Sequence, residues 1–242
     1  MEFEDRAVIV TGGGHGIGRA TSRLFAERGA RVVVADLDRD RASAVAAECG
    51  DGHVALHVDV RLPDSVAEMV AAAIHACGRI DVLTNVAGIY PQALMVDTTD
   101  EMWRNVLSTN LDGTFHTCRA LAPHLLANGR GAIVNVSSGA ARIPYASMSA
   151  YAASKGGVIS FTRTIAAELA PLVRANVIAP GPTLVWDDPD DVPDAEGLTG
   201  AIPMGRFARP EEIAEGIAFF ASDRAGFVTG QILHVNGGRS MH

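Results

Sequence analysis

Short runs of apolar, β-branched residues alternate along this chain with longer alanine-rich segments of helical period. That alternation constrains the fold more than any other feature. Strands read at Ala7–Thr11, at Val82–Asn85, and at residues 31–35, 53–58, 132–137, 174–179 and 231–235. Helical segments fall at Pro63–Cys77 and at residues 17–28, 41–49, 100–110, 114–126, 150–169 and 211–221. The strands are almost uninterrupted in apolar residues, the pattern of a sheet covered on both faces. Strand–helix alternation of this kind predicts an α/β fold: one doubly wound domain over residues 1–242, with a seven-stranded parallel sheet and helices on both faces. Right-handed crossovers then place a ligand crevice at the carboxyl ends of the strands. Residues 180–203 break the rhythm, being rich in Pro, Gly and Asp, and read as a substrate lid at about residues 183–205.

Charge and cysteine usage narrow the partners. A net charge of −8 argues against nucleic acid or an anionic membrane. Cys49, Cys77 and Cys118 are odd in number and far apart, so neither a disulfide framework nor a zinc pattern is expected. The eight histidines lack metal-ligand spacing, and no metal is expected. The acidic start, Met1-Glu2-Phe3-Glu4-Asp5, is unlike a signal peptide, and no apolar run is long enough to span a bilayer. A cytoplasmic enzyme fits these features.

The run Thr11-Gly12-Gly13-Gly14-His15-Gly16-Ile17-Gly18 joins the first strand to the first helix. Glycines there let the backbone approach a pyrophosphate at a helix N-terminus, where free N–H groups and the dipole favour an anion. Asp36 follows the second strand, where a carboxylate accepts both ribose hydroxyls of NAD and repels the 2′-phosphate of NADP. NAD is therefore expected over NADP, although Arg39 and Arg41 stand near enough to tolerate a phosphate. Asp38 or Asp40 suits the cap of the following helix better than Asp36 does. Asp59, after the third strand, is placed for an adenine amino group or, alternatively, is a turn former.

Lys155 is the only lysine; the other 19 basic side chains are arginine. It lies four residues after Tyr151, so on a helix the phenol and the ammonium share a face. A free phenol ionises near pKa ~10, and a neighbouring cation favours the phenolate. The pair reads as a proton-transfer unit, with a surface lysine beside a core tyrosine as the plainer alternative.

Taken in order, the glycine turn, Asp36, Tyr151 and Lys155 resemble the short-chain dehydrogenase/reductase superfamily, over essentially the whole chain from Val8 to Gly238. Its Thr-Gly-x-x-x-Gly-x-Gly pattern is met by Thr11, Gly12, Gly16 and Gly18, and its Asn-Asn-Ala-Gly segment becomes Asn85-Val86-Ala87-Gly88. The resemblance implies a Rossmann-type domain and a catalytic set of Asn110, Ser138, Tyr151 and Lys155. Tyr151 would transfer the proton and Ser138 would polarise the carbonyl. Lys155 would lower the Tyr151 pKa and hold the nicotinamide ribose, and Asn110 would hold a water. Cofactor contacts are expected from Gly12, Gly14, His15, Gly16, Ile17, Gly18, Asp36, Leu37, Asp59 and Val60. Others are expected from Asn85, Ala87, Gly88, Tyr151, Lys155, Pro180, Gly181 and Thr183. The family often has threonine at the position of Val185, so Thr183 would take over the carboxamide. A homotetramer is implied as well, with alanine-rich helices at residues 114–126 and 150–169 suited to close packing.

The expected activity is NAD-dependent interconversion of a secondary alcohol and a ketone. The alternatives are an NADPH-dependent 3-oxoacyl-carrier-protein reductase, which prefers a basic residue in the glycine turn and no acid at position 36, and a nucleotide-sensing module without turnover. Substrate walls are expected from Ile89, Tyr90, Ser138, Ile143, Tyr145, Met148 and Trp186, mostly apolar or aromatic. Asp187, Asp188, Asp190, Asp191, Asp194 and Glu196 make the lid acidic, and no lysine or arginine lies between Arg174 and Arg206. From this a small, uncharged, partly apolar or cyclic substrate is expected.

Overall fold

Along the first two strands, successive side chains turn to opposite faces of one sheet. Val8, Val10, Val32 and Val34 enter one buried cluster, while Ala7, Ile9, Val33 and Ala35 enter another. A strand buried on both sides has no place for polar residues, which explains the unbroken apolar runs. The computed structural model describes residues 1–185, 197 and 199–241.

Among the described residues, seven strands form one parallel sheet: β1 (Ala7–Thr11), β2 (Arg31–Asp36), β3 (Val54–His57), β4 (Val82–Asn85), β5 (Gly131–Val136), β6 (Val173–Pro180) and β7 (Ile232–Val235). Their order is β3-β2-β1-β4-β5-β6-β7, and every pair is parallel. The chain therefore reverses its direction of winding between β1 and β4, the topological switch at which such sheets open a crevice. The connecting helices are α1 (Gly16–Glu27), α2 (Arg39–Cys49), α3 (Pro63–Cys77), α4 (Asp100–Leu107), α5 (Gly113–Ala127), α6 (Ser149–Leu169) and α7 (Pro210–Ala221). Phe25 of α1, Val45 of α2 and Ile213 of α7 pack on one face. Val66 of α3, Leu121 of α5 and Ile165 of α6 pack on the other.

The expected break between residues 110 and 114 is absent. Ser108–Asp112 instead form a π-helical turn that joins α4 to α5 without interruption. Gly113 is no breaker: it keeps helical angles, and a Cβ there would lie 2.7 Å from the Val60 side chain. Its lack of a side chain lets the helix approach Val60. Asp38 caps α2 by accepting from the Asp40 and Arg41 N–H groups, and the helix starts two residues earlier than expected.

Candidate active site

A cleft of about 830 Å³ opens at the carboxyl ends of β1, β4, β5 and β6. Its first wall is the glycine turn. Gly12 has φ 65°, a conformation open to glycine, and a Cβ there would meet the Ala87 backbone at 2.7 Å. At Gly18 a Cβ would lie 1.8 Å from the Gly12 carbonyl oxygen. Helix α1 begins with no side-chain cap and no acidic residue in its first turn, so its leading N–H groups and dipole favour an anion. Gly12, His15, Gly16, Ile17 and Gly18 all line the cleft.

Asp36 closes the far end of this wall. One carboxylate oxygen accepts from the Gly14 N–H at 2.9 Å and the other from the Asp38 N–H at 3.0 Å. Both oxygens are thus fixed at the rim, with lone pairs left to accept from a diol. Gly14 itself does not line the cleft; it acts through Asp36. Leu37, Asp59, Val60, Ala87 and Gly88 do line it. The Asp59 oxygens accept from Arg61 at 2.9 and 2.6 Å, and this hydrogen bonding holds the Asp59 carboxyl below its ordinary value. Arg61 therefore occupies the carboxylate expected to receive an adenine amino group, and it lines the cleft as well. Asn85 is not on the cleft wall. It is a buried tie between strands and helix, donating to Asn135 Oδ1 at 2.9 Å and accepting from Thr117 at 2.8 Å.

Ser138, Tyr151 and Lys155 line the cleft as neighbours. Ser138 Oγ accepts from the Ala140 N–H at 3.1 Å, which leaves its own O–H available to donate. The Tyr151 ring packs edge-on against Tyr90, with centroids 6.2 Å apart. Burial raises the Tyr151 pKa, and the Ser138 hydroxyl pulls it the other way. The Lys155 ammonium, 5.9 Å from the Tyr151 ring centre, is no visible cause of lowering, contrary to expectation. Its Nζ donates to the Val136 carbonyl at 2.8 Å, and burial pushes its own pKa down to about 8. Desolvation is the largest influence on both groups. Ser137 Oγ donates to the Lys155 carbonyl at 2.8 Å, pinning α6 to the end of β5.

Buried Lys155 makes a stability prediction. Its folded pKa lies below the ordinary value of 10.5, so its charge opposes folding. This penalty is absent above pH 10.5, grows as the pH falls, and is complete below about 8. Lys155→Met should therefore stabilise the chain at pH 7 by about 1–2 kcal/mol, after allowing for the lost Val136 hydrogen bond. Denaturant unfolding of both proteins at pH 7 and pH 10 should show the gain shrinking with rising pH. An equal or larger gain at pH 10 would contradict the buried charge.

Asn110 lies in the π-turn, a distortion common at functional sites, but its amide is committed to protein. Oδ1 accepts from the Ile89 N–H at 2.8 Å, and Nδ2 donates to the Ile89 carbonyl at 2.9 Å and to Ser154 Oγ at 3.0 Å. Fully buried and off the cleft wall, it clamps the segment after β4; the side chain expected to hold a water has no unbonded polar atom.

Pro180, Gly181 and Thr183 complete the inner wall. The Thr183 hydroxyl donates to the Gly181 carbonyl at 2.9 Å, so toward an amide it can only accept. Of the expected substrate walls, Ile89, Tyr90, Tyr145 and Met148 line the cleft and Ile143 does not. Trp186 and the six lid carboxylates fall outside the described residues, as does most of the expected lid. Gln92, Phe207 and Arg239 also line the cleft, although no motif in the sequence marks them. Among the described residues, no cluster of side chains suits a metal ion, and no helix is long and apolar enough to cross a membrane.

Known proteins resemble this chain over nearly its whole length. The family described as enoyl-(acyl carrier protein) reductase matches residues 12–240. The 3-oxoacyl-[acyl-carrier-protein] reductase FabG of Thermotoga maritima is 38% identical, over 98% of this chain and 99% of its own. The cis-4-hydroxycyclohexanecarboxylate dehydrogenase of Sinomonas cyclohexanicum is 43% identical, over 98% of this chain and 97% of its own. A solved structure described as a short chain dehydrogenase/reductase family protein superposes with a TM-score of 0.91 at 40% identity, covering 98% of both chains. With the family matched over residues 12–240 and relatives of this identity covering nearly the whole chain, the protein belongs to the short-chain dehydrogenase/reductase superfamily and is an NAD(P)-dependent oxidoreductase.

Proposed function

We propose that the protein interconverts a secondary alcohol and a ketone, using NAD in preference to NADP, on a small cyclic or partly apolar substrate. The observation that carries this reading is the convergence of Ser138, Tyr151 and Lys155 on the cleft walled by the glycine turn and Asp36. The residues fit a dinucleotide: close-packed glycines, an uncapped helix N-terminus and a fixed carboxylate at the rim. When bound, the nicotinamide supplies or accepts the hydride. Charge then develops on the substrate oxygen, where a donor and a proton source must already stand. The Ser138 O–H donates to that oxygen, and Tyr151 gives or takes the proton. Lys155, held by Val136, provides the cation beside them and the donor for a ribose hydroxyl.

The named substrate of the Sinomonas relative, a ring alcohol that carries a carboxylate, supports a cyclic substrate. The carrier-protein reductases among the relatives support the second reading, NADPH-dependent reduction of a 3-oxoacyl thioester, which Asp36 disfavours. Exposed Trp103 on α4 and Phe115 on α5 offer apolar surface for the homotetramer that accompanies the reading, and we place the enzyme in the cytoplasm.

Fluorescence titration with NADH and NADPH tests the cofactor. NADH should bind at least about tenfold more tightly, and Asp36→Ala should narrow the difference, since a carboxylate facing a phosphate costs more than ~1 kcal/mol in a partly buried site. Tighter binding of NADPH by the unaltered protein would reject the preference.

A further inference from the structure

The segment after β7 brings a cation into the cleft. The Gly181 N–H donates to the Val235 carbonyl at 2.9 Å, and a Cβ on Gly181 would lie 2.8 Å from Asn236 Cα, so the two segments touch. Asn236 then builds a turn. Its Oδ1 accepts from the Gly238 N–H at 3.0 Å, its amide donates to the Ser240 carbonyl and hydroxyl at 3.1 and 3.0 Å, and its carbonyl accepts from the Arg239 N–H at 3.2 Å. Gly237 and Gly238 take φ of 63° and 85°, which the turn requires and glycine permits. Arg239 follows on this fixed base and lines the same cleft as Tyr145 and Tyr151.

Its guanidinium carbon lies 4.7 Å from the centre of the Tyr145 ring. That stacking satisfies the face of the cation and not its N–H edges. Nη1 is buried and has no hydrogen-bond partner, and no carboxylate among the described residues pairs with Arg239. A buried guanidinium nitrogen without a partner is costly, and groups of this kind call for an acceptor. The planar fork suits a carboxylate, which it can hold by two parallel hydrogen bonds. Arg239, Tyr145 and Tyr151 line one cleft, so a molecule that presents its carbonyl to Tyr151 is placed to supply the acceptor.

We propose that the substrate is a small hydroxy or oxo acid whose carboxylate, remote from the reacting carbon, is held by Arg239 above the Tyr145 ring. The proposal rests on the oxidoreductase reading and narrows it to a charged substrate class. It replaces the expectation of an uncharged substrate, which rests on the apolar walls and on the stretch between Arg174 and Arg206; Arg239 comes later in the chain and adds a cation to those walls.

The test uses the full chain with NADH and NADPH and two pairs of probes: 3- and 4-oxocyclohexanecarboxylate, each against its carboxamide of the same shape. The acids should be preferred by about tenfold to a hundredfold in kcat/KM, chiefly through KM, as a charge-assisted hydrogen bond implies. Arg239→Gln should bring the acid-to-amide ratio close to one, and Arg239→Lys should restore part of it. Equal rates for acid and amide in the unaltered protein, or a preference that survives Arg239→Gln, would overturn the carboxylate anchor and leave ketone reduction standing. No turnover of any probe with either cofactor would overturn this proposal; a failure of the oxidoreductase reading would show separately, as no binding of NADH or NADPH in the titration. The unaltered protein alone decides between acid and amide, so a misfolded variant does not remove the test.

Discussion

Tyr151→Phe is expected to lower kcat by about a hundredfold to ten-thousandfold, the range lost with a positioned proton donor, while NADH affinity stays close to that of the unaltered protein. The substitution keeps the ring and its edge-on contact with Tyr90, so the cleft wall is preserved. What disappears is the hydroxyl that sits beside Ser138 with a proton to transfer. The remaining donor, the Ser138 O–H, can polarise a carbonyl but cannot complete the transfer. Steady-state rates with any accepted ketone, paired with a cofactor titration, measure both halves of the claim. A phenylalanine variant with near-normal kcat would remove Tyr151 from the mechanism, and one that also lost NADH binding would show its role to be architectural.

Gly18→Ala should be nearly as damaging by a different route. The added methyl would lie 1.8 Å from the Gly12 carbonyl oxygen, 2.7 Å from the Gly12 carbonyl carbon and 3.0 Å from Gly13 Cα. All three are backbone atoms of the same turn, so no side chain can swing aside. Either α1 withdraws from the turn or the turn opens, and both outcomes destroy the cradle. A loss of about 2–4 kcal/mol in stability is expected, at the upper end of overpacking costs, together with at least about a hundredfold weaker NADH binding, since a misplaced helix N-terminus no longer faces the phosphates. Denaturant unfolding and the same titration read these separately. An alanine variant as stable as the parent would mean that the contact between Gly18 and Gly12 is softer than this geometry allows.

Most of the architecture is legible in the sequence, for an identifiable reason. Strands covered on both faces, such as Val32-Val33-Val34, carry a strong apolar signal, and the glycine turn between strand and helix has few structural alternatives. The misreadings occur where tertiary contacts override local signals. Leu111-Asp112-Gly113 looks like a break, yet the glycine serves a close approach to Val60 within a continuous helix. Asn110 and Asn85 look like site residues because of their motifs, but their amides are spent inside the protein. Nothing local marks Arg239; the Asn236 turn, folded back against Gly181, brings it to the cleft. The influence of burial on Tyr151 and Lys155 was likewise hidden, since spacing along a helix says which groups are neighbours and not how dry their surroundings are.

The strand order carries a consequence for biosynthesis. From β1 the sheet grows to one side with β2 and β3, then resumes on the opposite edge with β4, β5, β6 and β7. No later strand has to insert between two that are already paired, so a chain emerging from the ribosome can assemble this sheet by edge addition alone. Until β4 docks in register with β1, Thr11 against Asn85, the open edge of β1 is a bare row of unpaired backbone groups, a template for misassociation. Dinucleotide captured at the glycine turn as soon as that edge closes would hold the first half of the sheet together while the residues that perform the chemistry are still being synthesised.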